Sequence, residues 1–180
     1  MAALVAVWCA AAGAAEVAGV KLPDRQNVGG AELLLNGAGL RTRAIFRVYV
    51  GSLYLPAKAT TLEAVVAKAP RRIQMNMLRN VSADQLLGTL VDGIHDNTTD
   101  AERAAVKPQI DQLVSVAKGF GDIREGSIVT LDAVDGGTRL SLDGQAKATI
   151  PGEPFNVILT RIWLGEKPAQ ADLKRAMLGG

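Results

Sequence analysis

Aromatic side chains are scarce here: three Phe, two Trp and two Tyr in 180 residues. A core must therefore be built from Val, Leu, Ile, Met and Ala, and each aromatic position becomes informative. No charge sign dominates either, since 20 Lys and Arg stand against 18 Asp and Glu, for a formal net charge of +2. No basic run reaches the length of a nucleic-acid or anionic-membrane patch, so a nucleic-acid partner is not expected. Cysteine and histidine occur once each, as Cys9 and His95. One thiol makes no intrachain disulfide, and one imidazole makes a poor start for a zinc site. No serine can be paired with His95 by spacing, and there is no Gly-x-Ser-x-Gly elbow. Gly37-Ala38-Gly39 does not precede a helix, so it is no nucleotide loop. Asp96 to Asp100 lacks calcium-loop spacing and reads as turn and cap. His95 itself ends a helical stripe, where it suits the helix dipole. Neither metal nor cofactor is expected.

One apolar run stands out. Met1 to Ala15, MAALVAVWCAAAGAA, carries no charge and is apolar or small throughout. It reads as the apolar region of a secretory signal peptide, with cleavage after Ala14 or Ala15. The expectation is a cleaved leader over 1–15, one domain over 16–180, and a bacterial periplasmic location. Cys9 leaves with the leader, so the mature chain carries no thiol.

The remaining chain is organised around Asn36 to Pro56, NGAGLRTRAIFRVYVGSLYLP. Asn36-Gly37 reads as a hairpin turn. In extended chain, Arg41, Arg43, Arg47 and Tyr49 share one face, while Ala44, Phe46, Val48 and Val50 share the other. The second set is a core face. The first either faces water or receives an anion.

Upstream, Glu16 to Gln26 is extended, Asn27 to Gly30 is a turn and Ala31 to Leu35 a strand. Downstream, Thr60 to Lys68 is a short helix with Thr60 and Glu63 as its capping box. Arg71 to Arg79 returns to strand. Ser82 and Gln85 cap an amphipathic helix with the stripe Leu86, Leu87, Leu90, Val91, Ile94. Thr99 and Glu102 open another, expected to run unbroken to Lys118 and to end on Gly119 in a left-handed cap. Three short strands follow over 127–134, 138–142 and 145–150, joined by Asp-Gly turns as a meander. Pro154 to Trp163 and Ala169 to Leu178 are helical. This order predicts an α+β domain, an antiparallel sheet with helices on one face.

Asn36-Gly-Ala-Gly-Leu-Arg41, Val48-Tyr-Val-Gly-Ser-Leu-Tyr-Leu55 and Ile150-Pro-Gly followed by Trp163-Leu-Gly165 resemble the chalcone isomerase superfamily, and within it the bacterial secreted chalcone isomerase-like branch. The resemblance spans roughly residues 20 to 178. It implies an open-faced β-sandwich, a large antiparallel sheet covered by a layer of helices with a ligand cleft between them. Plant members cyclise chalcones, a plastid branch binds fatty acids through an arginine and a tyrosine, and a third branch has no known activity. Arg41 falls on the family arginine. Tyr49 falls where the isomerases carry a threonine that helps hold a catalytic water. Their helical tyrosine and asparagine fall here on Leu86 and Gly93, and near Asn156 they carry a residue that selects substrate.

The resulting expectation is a non-catalytic protein that binds a small amphipathic carboxylate such as a fatty acid. Arg41 supplies charge, Tyr49 a donor, and Arg43 or Arg47 assist. Met75, Met77, Leu86, Leu90 and Asn156 line the cleft. Two other readings stay open. One is an isomerase (intramolecular lyase) on a non-chalcone substrate, with Arg41 stabilising an oxyanion and Tyr49 as acid. The other is a structural or partner-binding module on an inherited fold.

Overall fold

A computed structural model describes residues 14–180; the expected leader therefore falls almost wholly outside the described residues. The chain begins with two short strands, β1 (Ala14–Val17) and β2 (Val20–Pro23), paired as a hairpin, and continues into β3 (Arg25–Val28). Then come the two long strands β4 (Ala31–Arg43) and β5 (Phe46–Leu55). A short helix α1 (Leu62–Val66) leads to β6 (Arg71–Met77) and the two-residue β7 (Val81–Ser82). The helical middle is α2 (Ala83–Asp96), α3 (Asp100–Ala105) and α4 (Lys107–Lys118). After β8 (Asp122–Ile123) comes the meander β9 (Ile128–Val134), β10 (Gly137–Leu142) and β11 (Gln145–Pro151). The helices α5 (Glu153–Leu164) and α6 (Ala171–Met177) close the chain.

Seven strands form one antiparallel sheet in the order β11-β10-β9-β6-β5-β4-β3. Helices α2, α4, α5 and α6 cover one face, which is the α+β open-faced sandwich expected from the order of elements. The core lies between the layers. From α2 it takes Leu86, Leu87, Leu90 and Ile94, from α5 Phe155, Leu159 and Trp163, and from the sheet Leu53, Ile73, Met75 and Met77. Each such side chain contributes about 1.5–3 kcal/mol by leaving water. The opposite face is polar near its centre. There Arg72 Nε donates to Asp132 Oδ1 at 2.7 Å, and Gln26 Nε2 donates to Gln74 Oε1 at 2.9 Å.

Local chemistry explains several element ends. Ser82 and Gln85 form the capping box that starts α2, and Thr99 and Glu102 form the one that starts α3. Both Asp-Gly turns of the meander have positive φ at both residues, as a two-residue hairpin turn requires.

Several expectations are corrected. Asn36-Gly37 is no turn: β4 runs straight through it, and the hairpin turns instead at Ala44-Ile45, where Ala44 has φ 53°. Asn36 is a bulge residue, buried, donating to the carbonyls of Ala59 and Met177 at 2.8 Å each. Gly37 and Gly39 are needed for close approach. A Cβ on Gly37 would run into the Ala176 carbonyl, and one on Gly39 would lie 2.8 Å from Ala176 Cβ. The glycines make a smooth floor for α6. The expected long helix is two, because Pro108 lacks an N–H and its ring crowds the Ala104 carbonyl. Gly119 ends α4 with φ −76°, in the right-handed region, so no left-handed cap forms there. The cap of α1 is Thr61, which accepts from the Ala64 N–H, rather than Thr60.

Candidate functional site

At the end of the sheet where β4 and β5 meet, the two strands and the start of α2 enclose a cleft of about 160 Å³. Its floor and walls are Val48, Tyr49, Val81 and Leu86, with Gln85 and Thr89 from α2. Arg41, Arg43, Phe46 and Arg79 complete the lining.

The bulge in β5 creates this grouping. Arg41 pairs with Tyr49, yet Thr42 pairs with Arg47, so Val48 has no partner in β4. One extra residue reverses the alternation beyond it. Val48 and Phe46, expected on the face opposite Tyr49, line the cleft with it. Arg47, expected beside Arg41, lies elsewhere; its guanidinium donates to the Ala18 carbonyl of the β1–β2 turn.

Tyr49 is 4% exposed, and its phenol oxygen accepts a hydrogen bond from Trp163 Nε1 at 3.0 Å. Burial raises its pKa, against weaker lowering by Trp163 and Arg41, so the phenol stays protonated. Because Trp163 occupies an oxygen lone pair, the O–H is left to donate. Arg41 is held from two sides. One guanidinium nitrogen donates to the Thr42 carbonyl, and also to Gln170 Oε1 at 3.3 Å. Gln170, at the N-terminus of α6, also accepts from the Thr42 N–H at 2.9 Å and donates to the Leu40 carbonyl at 3.2 Å. Its amide thus covers the free edge of β4 as a short strand would. Arg79 lies over the Phe46 ring, 4.5 Å from its centroid.

The other expected residues are not brought to this cleft. Met75 and Leu90 lie deeper, under α2, where they and ten neighbours leave only about 10 Å³. Leu86 touches both regions. Met77, opposite Tyr49 on β6, is wholly in the core. Asn156 belongs to a separate buried polar group. It accepts from Arg71 and donates to Thr138 Oγ1 at 2.9 Å, with about 10 Å³ of free space beside it. Burial lowers the Arg71 pKa to about 10. Arg79, Gln170 and Trp163 take part in the site without any local sequence pattern that marks them.

A family model described as chalcone isomerase-like matches residues 14–179. The chain belongs to the chalcone isomerase-like family. Among solved structures, one that is similar is the fatty-acid binding protein of Arabidopsis thaliana, at TM-score 0.66 and 12% identity, covering 89% of this chain and 92% of that one. At that identity the likeness shows the fold. Comparison with curated proteins finds no match.

In this chalcone isomerase-like protein, the positions that the resemblance gives to a water-orienting tyrosine and asparagine carry neither group. Leu86 fills the first with a buried apolar side chain. At the second, a Cβ on Gly93 would lie 2.7 Å from Ile162 Cγ2, so α5 leaves no room for an asparagine.

Proposed function

We propose that this protein binds a small amphipathic carboxylate in the β4–β5 cleft and does not transform it. The observation that carries this reading is the cross-strand pair of Arg41 and Tyr49 on the lining of one part-apolar cleft. The guanidinium supplies charge and a fork of donors, and the phenol supplies a further donor. Val48, Val81 and Leu86 receive the apolar part. The lining includes no carboxylate or imidazole as a base, and Leu86 and Gly93 stand where the isomerases are expected to carry a tyrosine and an asparagine, which together weigh against isomerisation. A structural neighbour described as a fatty-acid binding protein supports the ligand class. Ligand pockets for drug-sized molecules run to roughly 300–1,000 Å³. The 160 Å³ here, above a filled core, suits a short chain. The setting we propose, from the apolar leader, is a bacterial periplasm, as for a secreted branch of the family.

The test is titration of the protein with hexanoate, followed by NMR shifts of cleft residues, alongside native mass spectrometry of protein taken from a periplasm. Arg41→Ala should weaken hexanoate by about tenfold or more, the scale of a lost charged hydrogen bond. Unchanged affinity in that variant sinks the clamp.

A further inference from the structure

Arg41 alone suffices for one carboxylate, yet the same cleft holds two more guanidiniums. Arg43 lies on β4 two residues beyond Arg41, paired with Phe46, and Arg79 stacks on that same Phe46 ring at 4.5 Å. No Asp or Glu lines the cleft. Arg25, Arg72, Arg103, Arg139, Arg161 and Arg175 each sit within 4.0 Å of a carboxylate; Arg47, Arg71 and Arg124 do not among the described residues, but they lie outside the cleft. Among the described residues, no such ion pair involves Arg41, Arg43 or Arg79. Three like charges around about 160 Å³ repel one another, and one monocarboxylate neutralises only one of them.

We propose that the natural ligand is a compact organic dianion, a conclusion that rests on the carboxylate reading above. One acidic group sits on Arg41 and Tyr49. The second sits between Arg43 and Arg79, at the rim. Arg41 and Arg43 stand two apart on β4, with Cα atoms about 7 Å apart, so a short carbon chain is long enough to reach from one clamp to the other. Val48, Val81 and Leu86 contact the carbons between them. Arg79 and the Phe46 ring it stacks on are both exposed, which places that guanidinium at the rim, within reach of a second acidic group.

Adipate and hexanoate share a six-carbon chain and differ by one carboxylate, so they isolate the second charge. At low ionic strength, adipate should bind about tenfold or more tighter than hexanoate, and the gap should narrow as salt is added. In the double variant Arg43→Ala/Arg79→Ala, checked for fold by circular dichroism, both compounds should weaken because two nearby charges are gone, but adipate should lose more, so that the adipate-to-hexanoate ratio falls to about one. Arg41→Ala should weaken both. Equal affinities in the wild type overturn the dianion while leaving the carboxylate site standing. If neither compound moves the cleft resonances, or Arg41→Ala changes nothing, the carboxylate reading falls and the dianion with it. A third outcome also overturns it: an unchanged adipate-to-hexanoate ratio in the double variant, with lost binding to vesicles rich in phosphatidylglycerol. That result would give Arg43 and Arg79 to a lipid surface.

Discussion

Trp163 and Tyr49 meet through one hydrogen bond of 3.0 Å, and each needs the other. The indole N–H is in the core, 1% exposed as a residue, and Tyr49 is its one acceptor among the described residues. Tyr49→Phe should therefore cost about 1–3 kcal/mol in urea unfolding, the penalty of a buried donor without a partner. Removing both partners, as Tyr49→Phe with Trp163→Phe, should recover part of the hydrogen-bonding loss, although the smaller ring leaves a void. A single variant as stable as wild type would show that Trp163 finds another acceptor. At this scale the sequence was partly legible. Arg41 and Tyr49 could be singled out because a guanidinium and a phenol in a β-rich run are unusual. That Trp163 would reach Tyr49 from 114 residues away could not be read, since no local pattern encodes such a contact.

The hairpin of β4 and β5 depends on a helix from the other end of the chain. Ala176 of α6 approaches Gly37 and Gly39 at distances that exclude a side chain, and Leu173 packs tightly over Gly39 and Gly51. Gly37→Ala should push α6 off the sheet, with a loss of about 1–3 kcal/mol by chemical denaturation, as overpacking does. Because Gln170 rides on α6 and contacts Arg41, the same variant should weaken carboxylate binding. Normal stability together with normal binding would mean that the glycine floor has slack. These elements also show why no turn forms at Asn36-Gly37. Locally the dipeptide favours a tight turn. In the fold Asn36 bonds to Met177 and Ala59, and the glycine is needed for closeness instead. Helix α2 was legible from its capping box and apolar stripe, and α5 from its apolar residues alone, because both signals are local. The split at Pro108 was legible in principle, from the missing N–H alone.

Across the whole molecule, Glu102 of α3 ties the helical middle to α5. Its carboxylate accepts from Arg161 Nη1 at 2.7 Å, and it closes the Thr99 capping box. These bonds, Arg161 first, lower its pKa from 4.5 to about 2. A depressed carboxylate pKa means stabilisation that is fully present above pH 4.5 and is lost as pH falls through about 2. The gap in thermal stability between wild type and Glu102→Gln should therefore shrink across that window and close below it. A gap that stays constant with pH would assign the effect to packing. The group is solvent-exposed, so the difference should be modest and smaller in high salt.

What the sequence determined by itself was most of the elements, the α+β layering and the resemblance to its family, because apolar periodicity, caps and Asp-Gly turns act within a few residues. The tertiary structure decided which of these residues meet. One unpaired residue, Val48, reversed a strand's alternation, bringing Phe46 into the cleft and leaving Arg47 outside it. Packing also decided the room available, since Met75 and Leu90 fill the space beneath α2. Register and cavity volume come from many long-range contacts satisfied together, and a periodicity of two or 3.6 residues carries no record of them.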